Sequence, residues 1–324
     1  MLVYNAIQGV LTILCMITLG YVLSRRGWFD DRDSALLNRI VLMIALPSLM
    51  VSNLTGNFDK ESILRMGPGI IVPFLSILGS YGFAWILGIL IRVPVHFRGT
   101  FRALFAFSNT IFVGLPVNLA LFGDKSVPYV TLYYLVNTTL FWTIGVYYIR
   151  KDVEGHKGVH HFFSWETIKR IFNPVLVAFF ISIFLVFLEW KIPPFLSSAF
   201  KYIAAMTTPL SMLIIGNTIS SIGLKGIRFS KEMIAVIIGR FGIAPALAWL
   251  VLSRIDATEL MRNVFLVVAA MPAMTQIPIV CKAYGADDRQ TSVMMTVTTT
   301  LSLFVIPLYI ALQELIPLPS SIVP

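Results

Sequence analysis

Residues 107–118 read Phe-Ser-Asn-Thr-Ile-Phe-Val-Gly-Leu-Pro-Val-Asn, and residues 271–278 read Met-Pro-Ala-Met-Thr-Gln-Ile-Pro. Each stretch lies inside an apolar segment long enough for a helix. A proline inside a helix removes one backbone hydrogen bond and clashes with the carbonyl group four residues earlier. Gly114 close to Pro116, and Pro272 followed by Pro278, therefore predict two interrupted helices. A simple proline kink is the alternative for either stretch alone.

The composition places these helices in a membrane. Apolar residues make up 57% of the 324 residues and charged residues only 13%, about half of the charged share of soluble domains. The mean hydropathy is +0.83. So few charges cannot cover a soluble surface, which excludes a soluble enzyme and a disordered scaffold. The net charge of +9 is spread between apolar segments without a dense basic run, so nucleic acid is not an expected partner.

Ten apolar segments are long enough to cross a bilayer, which takes about 20 residues. Transmembrane β-strands are shorter and alternate polar with apolar residues. The sequence therefore predicts an all-α polytopic membrane protein with ten transmembrane helices in the lipid bilayer. The predicted spans are residues 3–24, 34–53, 66–91, 99–122, 127–149, 172–190, 195–219, 231–253, 259–283 and 290–315.

Lysine and arginine indicate which connections are cytoplasmic. Sixteen of these residues lie in the odd-numbered connections and seven in the even-numbered ones. Short loops rich in positive charge face the cytoplasm. The sequence therefore predicts a multi-pass protein of the cell membrane with both termini outside. Its longest connection, residues 150–171, is then cytoplasmic.

A shift of 162 residues aligns the two halves of the chain, so that Pro47 meets Pro209 and Pro116 meets Pro278. Predicted spans 2, 3 and 4 then fall on spans 7, 8 and 9 without gaps. Five spans per copy is an odd number, so the second copy must cross in the opposite sense. This 5+5 inverted repeat, with helices 4 and 9 broken, is common in secondary transporters; accidental or parallel duplication is the alternative. The predicted units are residues 1–150 (first repeat), 151–171 (linker) and 172–324 (second repeat).

Broken helices predict a binding site. Unpaired backbone in hydrocarbon costs several kcal/mol, so a break persists only beside protein or a wet cavity. Each break also exposes the N-terminus of a half-helix, whose N–H groups and positive dipole end suit an anion. We therefore expect an anion to bind where the two breaks meet. For Asn118, a side chain that faces the site and a cap of its half-helix are equally good explanations. The candidate binding residues are Asn109, Thr110, Gly114, Pro116, Asn118, Asn137, Pro272, Thr275, Gln276 and Pro278.

Ionisable groups are nearly absent from the predicted spans. All sixteen Asp and Glu residues lie in loops or at helix ends, so a buried proton relay is not expected. Arg240 and Lys282 are the deepest cations. We expect both to extend to the cytoplasmic interface, as long basic side chains do near helix ends. Balancing the charge of a substrate is the alternative for either.

No catalytic or nucleotide-binding motif occurs, so neither an enzyme nor a cofactor is predicted. The sequence contains no His-Glu-x-x-His, no Gly-x-Ser-x-Gly and no P-loop pattern. His156, His160 and His161 lie in the central connection, where we expect a solvated cluster rather than a metal site.

The order and spacing of several short motifs resemble those of the auxin efflux carrier family. That family includes plant PIN-FORMED carriers and bacterial permeases for small organic acids, and the likeness covers essentially the whole chain. The motifs are Asn109-Thr110, Gly114-Leu115-Pro116, Leu121-Phe122-Gly123, Pro209-Leu210, Gly216, Met271-Pro272, Ile277-Pro278, Ala283-Tyr284-Gly285, Thr300-Leu301-Ser302 and Ile306-Pro307.

The resemblance implies a scaffold of spans 1, 2, 6 and 7, a transport domain of spans 3–5 and 8–10, an elevator-like movement and a homodimer. It also implies that Asn109 binds a substrate carboxylate and that Asn137 is a polar position on span 5. Plant auxin carriers have ionisable residues on span 3, whereas Met66–Ile91 has none, and the central connection is short. A carrier of the bacterial organic-anion type is therefore expected rather than an auxin carrier.

The sequence thus predicts a secondary transporter that exports a small organic anion, driven by the membrane potential. Import of such an anion would need Na⁺ or H⁺. A Na⁺- or H⁺-coupled organic-acid symporter of the bile-acid type is one alternative. A membrane sensor that binds ligand without transport is the other.

Overall fold

The structure is a computed structural model that describes residues 2–29, 31–154, 165–222 and 229–315. These residues are helical almost throughout, and their sole β-type pairing is one isolated bridge. The α-helices are α1 (Leu2–Arg25), α2 (Asp31–Ile40), α3 (Leu46–Asn57), α4 (Lys60–Met66), α5 (Ile71–Leu90), α6 (Arg98–Ala106), α7 (Leu115–Phe122), α8 (Val127–Leu140), α9 (Val146–Glu154), α10 (Trp165–Ile171), α11 (Pro174–Phe187), α12 (Pro194–Ala204), α13 (Thr207–Ile222), α14 (Lys231–Ile238), α15 (Ala244–Leu252), α16 (Glu259–Ala269), α17 (Gln276–Tyr284) and α18 (Asp288–Leu315).

Several of these helices join end to end through a single wider or tighter turn. Five-residue π-helical turns link α2 to α3, α8 to α9 and α14 to α15, and a 3₁₀ turn links α4 to α5. Another π-helical turn, Thr110–Gly114, leads into α7. Such turns are often found at functional sites in helices.

Five continuous helices in the described part of the chain are long and apolar enough to cross a membrane. They are Arg32–Asn57, Lys60–Leu90, Pro194–Ser221, Lys231–Leu252 and Asp288–Tyr309. Helices also occupy the other predicted segments, and those predicted as spans 4 and 9 are each divided into two short halves. The protein is therefore an all-helical, multi-pass membrane protein. The count of ten crossings and the inverted repeat stay predictions.

Two groups of helices pack closely within the fold. In the first group, α1 lies along α13, and α3 packs against α11 and α12. Glycines allow the close approach of α1 and α13: a Cβ atom on Gly20 would lie 2.6 Å from the carbonyl oxygen of Leu213, and one on Gly216 would lie 2.2 Å from that of Ile17. Small residues at such contacts are typical of membrane helices.

In the second group, α5 packs against α6 and α15, and α6 also packs against α9. The Asp152 carboxylate of α9 accepts hydrogen bonds from the backbone N–H groups of Gly99 and Thr100, both at 2.8 Å. It also accepts one from the Thr100 hydroxyl at 3.1 Å. A carboxylate at this point stabilises the positive N-terminal end of α6. Helix α6 is thereby fixed at the end opposite the predicted break.

Candidate functional site

The two predicted interruptions meet in the structure. Helix α6 ends at Ala106 and is followed by extended backbone at Phe107, whereas α16 ends at Ala269 and the chain turns at Ala270 before it pairs at Ala273. The backbone N–H of Asn109 donates to the carbonyl oxygen of Pro272 at 2.8 Å, and that of Met274 donates to Phe107 at 3.1 Å. The two segments thus form an antiparallel bridge between Ser108 and Ala273. This pairing gives hydrogen-bond partners to backbone N–H and carbonyl groups that the interrupted helices would otherwise leave unpaired in the membrane.

The breaks lie several residues before two of the three prolines that predicted them. The chain resumes helical geometry at Thr110 and at Gln276. Pro116 follows the π-helical turn inside the continuous helix Thr110–Phe122, and Pro278 lies in the first turn of α17, so neither lies in an interruption. A proline fits the first turn of a helix because its missing N–H would lack an intrahelical partner there. Pro272 alone of the three lies within a break.

Gly114 and Asn118 shape the turn after the first break. Gly114 lies in the π-helical turn, and its N–H bonds the carbonyl oxygen of Asn109 at 3.0 Å. The Asn118 side chain is fully buried and its Nδ2 donates to the carbonyl oxygen of Gly114 at 2.7 Å. Asn118 therefore supports this turn from within its own half-helix.

Four helix ends converge at the bridge. The C-terminal ends of α6 and α16 carry negative partial charge, and the N-terminal ends of the segments that begin at Thr110 and Gln276 carry positive partial charge. Opposite helix ends at the same place partly cancel one another's field. The charge of the crossover therefore depends on which side chains surround each end.

Arg240 binds the two C-terminal ends, so the expectation that it extends to the cytoplasmic interface is wrong. Its side chain is only 1% exposed. It donates to Phe105 and Ala106 at the end of α6, at 3.2 and 2.9 Å. It also donates to Ala269 at 2.8 Å and twice to Met271, at 3.0 and 2.7 Å. A buried guanidinium is stable here because five of its hydrogen bonds end on carbonyl oxygens.

Gly239 allows Arg240 to approach this closely. A Cβ atom on Gly239 would lie 2.3 Å from the ring of Phe105, so a larger residue would push α14 away from α6. Lys282 differs from Arg240, because it is exposed in the last turn of α17. The expectation of an outward-reaching side chain is compatible with Lys282.

The Asn109 side chain caps the first half-helix through its oxygen and leaves its amide nitrogen without a partner among the described residues. Its Oδ1 accepts the backbone N–H of Phe112 at 3.3 Å, as the N-cap of the turn that begins at Thr110. The residue is 2% exposed, and its Nδ2 has no hydrogen-bond partner among the described residues. The cap bond fixes which end of the amide is the donor, so the open group is an N–H. A buried donor left open costs free energy, about 1–3 kcal/mol, unless a ligand accepts from it.

Asn137 holds the crossover in place rather than offering a free group. Its Oδ1 accepts the N–H of Ser108 at 3.2 Å, and its Nδ2 donates to the carbonyl oxygen of Ser108 at 3.0 Å. On the other segment, the hydroxyl oxygen of Thr298 accepts the N–H of Ala273 at 3.2 Å. One residue of α8 and one of α18 therefore each hold one side of the bridge.

A cleft of about 270 Å³ opens beside the bridge. Five of the ten candidate residues line it, namely Asn109, Thr110, Asn137, Thr275 and Gln276. Gln276 contributes an Oε1 atom that is buried and without a partner within the described structure. The other five candidates do not line the cleft, namely Gly114, Pro116, Asn118, Pro272 and Pro278. Pro272 takes part in the bridge instead, because its carbonyl oxygen accepts the N–H of Asn109. The cleft also has walls that the sequence did not suggest, which are Leu42, Ser108, Ile111, Phe112, Tyr134 and Met274.

Comparison with known proteins shows which family has this architecture. The sequence profile of the family described as "Membrane transport protein" matches residues 5–310. The chain belongs to this family. It is the family of the auxin efflux carriers, which the motifs around Asn109 and Pro272 indicated.

Two of three relatives of this membrane transport protein match nearly its whole length. An uncharacterized transporter of Methanocaldococcus jannaschii is 28% identical over 310 residues, which are 93% of this chain and 96% of that protein. A protein of Rhizobium meliloti, provisionally named a malonate transporter, is 21% identical over 97% of this chain and 98% of its own. An uncharacterized transporter of Escherichia coli is 25% identical over 66% of this chain and 69% of its own. Family and relatives together indicate a transporter rather than an enzyme.

A second cavity of this membrane transport protein is apolar. About 400 Å³ of space, partly open to solvent, lies between α1, α7, α13 and α18, and its walls include Ile17, Val117, Ile215 and Ile306. The hydroxyl groups of Thr299 and Ser302 border it, but both donate to carbonyl groups of their own helix. This cavity therefore lacks the donors that a carboxylate needs.

Metal ligands are not clustered in the part of the chain that the structure describes. No three His, Cys, Asp or Glu side chains there approach one another as a metal ion would need. His156, His160 and His161 lie outside the described residues.

Proposed function

We propose that the protein is a secondary transporter that carries a small organic anion through the crossover cleft. One observation carries the proposal. The buried Nδ2 of Asn109, which lacks a partner among the described residues, lines a cleft at the N-terminal ends of two half-helices. An open donor beside two positive helix ends suits a carboxylate oxygen.

The lining of the cleft suits a short organic acid. Apolar walls from Leu42, Ile111 and Phe112 stand beside the polar groups of Asn109 and Gln276. A short carboxylic acid would place its carboxylate at the half-helix ends and its carbon chain against the apolar walls.

An elevator movement is the proposed mechanism. The scaffold would contain spans 1, 2, 6 and 7, and the transport domain spans 3–5 and 8–10. The tight packing of α1 on α13 and of α3 on α11 supports a rigid scaffold, and that of α5, α6, α9 and α15 supports a rigid moving unit. The apolar cavity lies where α1 and α13 face α7 and α18, and an apolar boundary suits sliding. A homodimer through the scaffold, as the resemblance implies, would hold it still.

The membrane potential is the proposed driving force. It contributes about 2.3 kcal/mol per charge per 100 mV, which favours export of an anion from a negative cytoplasm. The proposal includes the orientation that the sequence predicts, in the cell membrane with both termini outside and residues 150–171 inside. Glu232 is the one carboxylate among the buried side chains of the described residues, and it lies in the first turn of α14. Coupling through a carboxylate inside the membrane is therefore not part of the proposal.

Flux of labelled malonate from proteoliposomes, at imposed potentials of both signs, tests the proposal. We choose malonate as the probe because a relative carries it in its name. We expect efflux to accelerate when the lumen is negative and to be unaffected by replacing Na⁺ with choline. Flux that ignores the potential would contradict electrogenic export. Flux that needs Na⁺ or a pH gradient would favour the coupled symporter, and binding without flux would favour a sensor.

A further inference from the structure

We propose that Arg240 gives the crossover its preference for anions without touching the anion. It would do so by neutralising the two carbonyl ends of the broken helices, which leaves the two N–H ends unopposed. The inference rests on the proposed anion site. It adds a positioning residue that belongs to neither broken helix and that lines no part of the cleft.

The charge balance of the crossover supports this role. Each helix end is equivalent to about half an elementary charge, negative at a C-terminus and positive at an N-terminus. The ends of α6 and α16 together bring about one negative charge, and the ends at Thr110 and Gln276 about one positive charge. Without a cation the four ends sum to nearly zero. Arg240 supplies one positive charge directly at the negative ends.

The surroundings of Arg240 leave its charge uncompensated by any acid. All five of its hydrogen bonds within the described structure end on carbonyl oxygens, and no carboxylate there lies within salt-bridge distance of it. Glu232 is the other buried charged residue of the described chain. It lies eight positions earlier on the same helical segment, about 12 Å along the axis, with Lys231 4.0 Å from its carboxylate.

Arg240 is close enough to influence a ligand in the cleft. Its guanidinium bonds the carbonyl oxygen of Ala106 at 2.9 Å, and the Cα atoms of Ala106 and Asn109 lie at most about 10 Å apart along the chain. At a charge–ligand separation of about 12 Å and an effective dielectric constant of about 20, one charge changes the affinity for an anion by about tenfold. A neutral ligand of the same shape would be affected little.

Three probes of nearly equal shape separate the charge of Arg240 from its structural role. Malonate has two carboxylate groups, malonamate one and malonamide none. Binding to purified protein would be measured by calorimetry for the wild type, Arg240→Lys and Arg240→Gln. Lys282→Gln is the matched control, since it removes one positive charge in the last turn of α17, about 9 Å along the axis from Gln276.

We expect the wild type to bind malonamate more tightly than malonamide. The ratio of these two affinities should fall about tenfold in Arg240→Gln and be retained in Arg240→Lys and in Lys282→Gln. A ratio retained in Arg240→Gln, or lost in Arg240→Lys, would overturn the inference while leaving the anion site intact. Should Arg240→Gln not fold, Arg240→Lys still decides, because it keeps the charge and loses most of the hydrogen bonds. A wild type that does not prefer the acids would overturn the proposed function and, with it, the inference.

Discussion

The backbone N–H of Asn109 donates to the carbonyl oxygen of Pro272 at 2.8 Å, so the interrupted segments of the two halves of the chain pair with each other. Neither segment could satisfy its backbone alone inside a bilayer. The side chain of Asn109 adds a helix cap and an open donor at the same point.

Replacing Asn109 tests the donor and the cap separately. Asn109→Ala removes both, so we expect malonate affinity to fall about tenfold or more, with the cap loss costing about 1 kcal/mol of stability. Asn109→Asp keeps an acceptor for the Phe112 N–H but replaces the donor with a negative charge. It should bind malonate still more weakly while remaining stable. Calorimetry and thermal unfolding in detergent measure the two effects, and expression and dimerisation should not change. Unchanged affinity in Asn109→Ala would remove Asn109 from the site.

Replacing Asn137 tests how firmly the crossover is held. Asn137→Ala leaves the buried N–H and carbonyl group of Ser108 without their side-chain partner. We expect a loss of about 2–3 kcal/mol in the free energy of unfolding, together with weaker malonate binding. Thr139→Val is the control on the same helix, because the Thr139 hydroxyl bonds only the carbonyl of Leu135, four residues earlier. Equal stability of the two variants would show that Asn137 does not hold the bridge.

Two glycines of one π-helical turn give a matched test of packing around Arg240. A methyl group on Gly239 would lie 2.3 Å from the Phe105 ring, whereas one on Gly242 would meet nothing closer than 4.0 Å. Gly239→Ala should therefore lower the unfolding free energy by about 1–3 kcal/mol, the usual cost of overpacking. Gly242→Ala should leave it unchanged or slightly raised. Thermal unfolding of both variants measures this, and a Gly239→Ala protein as stable as the wild type would argue against the close contact.

Asp152 should give stability a dependence on pH. Burial raises the pKa of the Asp152 carboxyl, and its hydrogen bonds to Gly99 and Thr100 oppose that change. A group with a raised pKa keeps its proton longer when folded, so the free energy of unfolding falls as the pH rises from about 4 through the folded pKa. Asp152→Asn cannot titrate and should lack this slope. Melting temperatures of both proteins between about pH 4 and 7 test it; parallel curves would contradict the prediction.

The sequence located the crossover because glycine, proline and amide residues are unusual inside apolar helices. It placed the interruptions too close to Pro116 and Pro278, since a proline at a break, a proline after a π-helical turn and a proline in a first turn look alike in sequence. Which residues pair across the gap, such as Ser108 with Ala273, depends on the folded arrangement of distant segments.

Arg240 shows what sequence spacing cannot supply. A lone arginine in an apolar helix usually extends to the interface, and that was the expectation here. Its acceptors are carbonyl groups at the end of α6, at the end of α16 and in the segment that follows α16, as many as 135 residues away in the chain. Every residue has a backbone carbonyl group, so the sequence does not mark which of them accept from Arg240. Only the fold reveals that this cation is buried.

The most direct test of the anion site is a ligand-bound structure, determined by cryo-electron microscopy in the presence of malonate. We predict density for a carboxylate within hydrogen-bond distance of the Asn109 Nδ2, between the half-helix ends at Thr110 and Gln276. Density elsewhere with an empty cleft, or residues 107–110 and 270–276 forming uninterrupted helices, would contradict it.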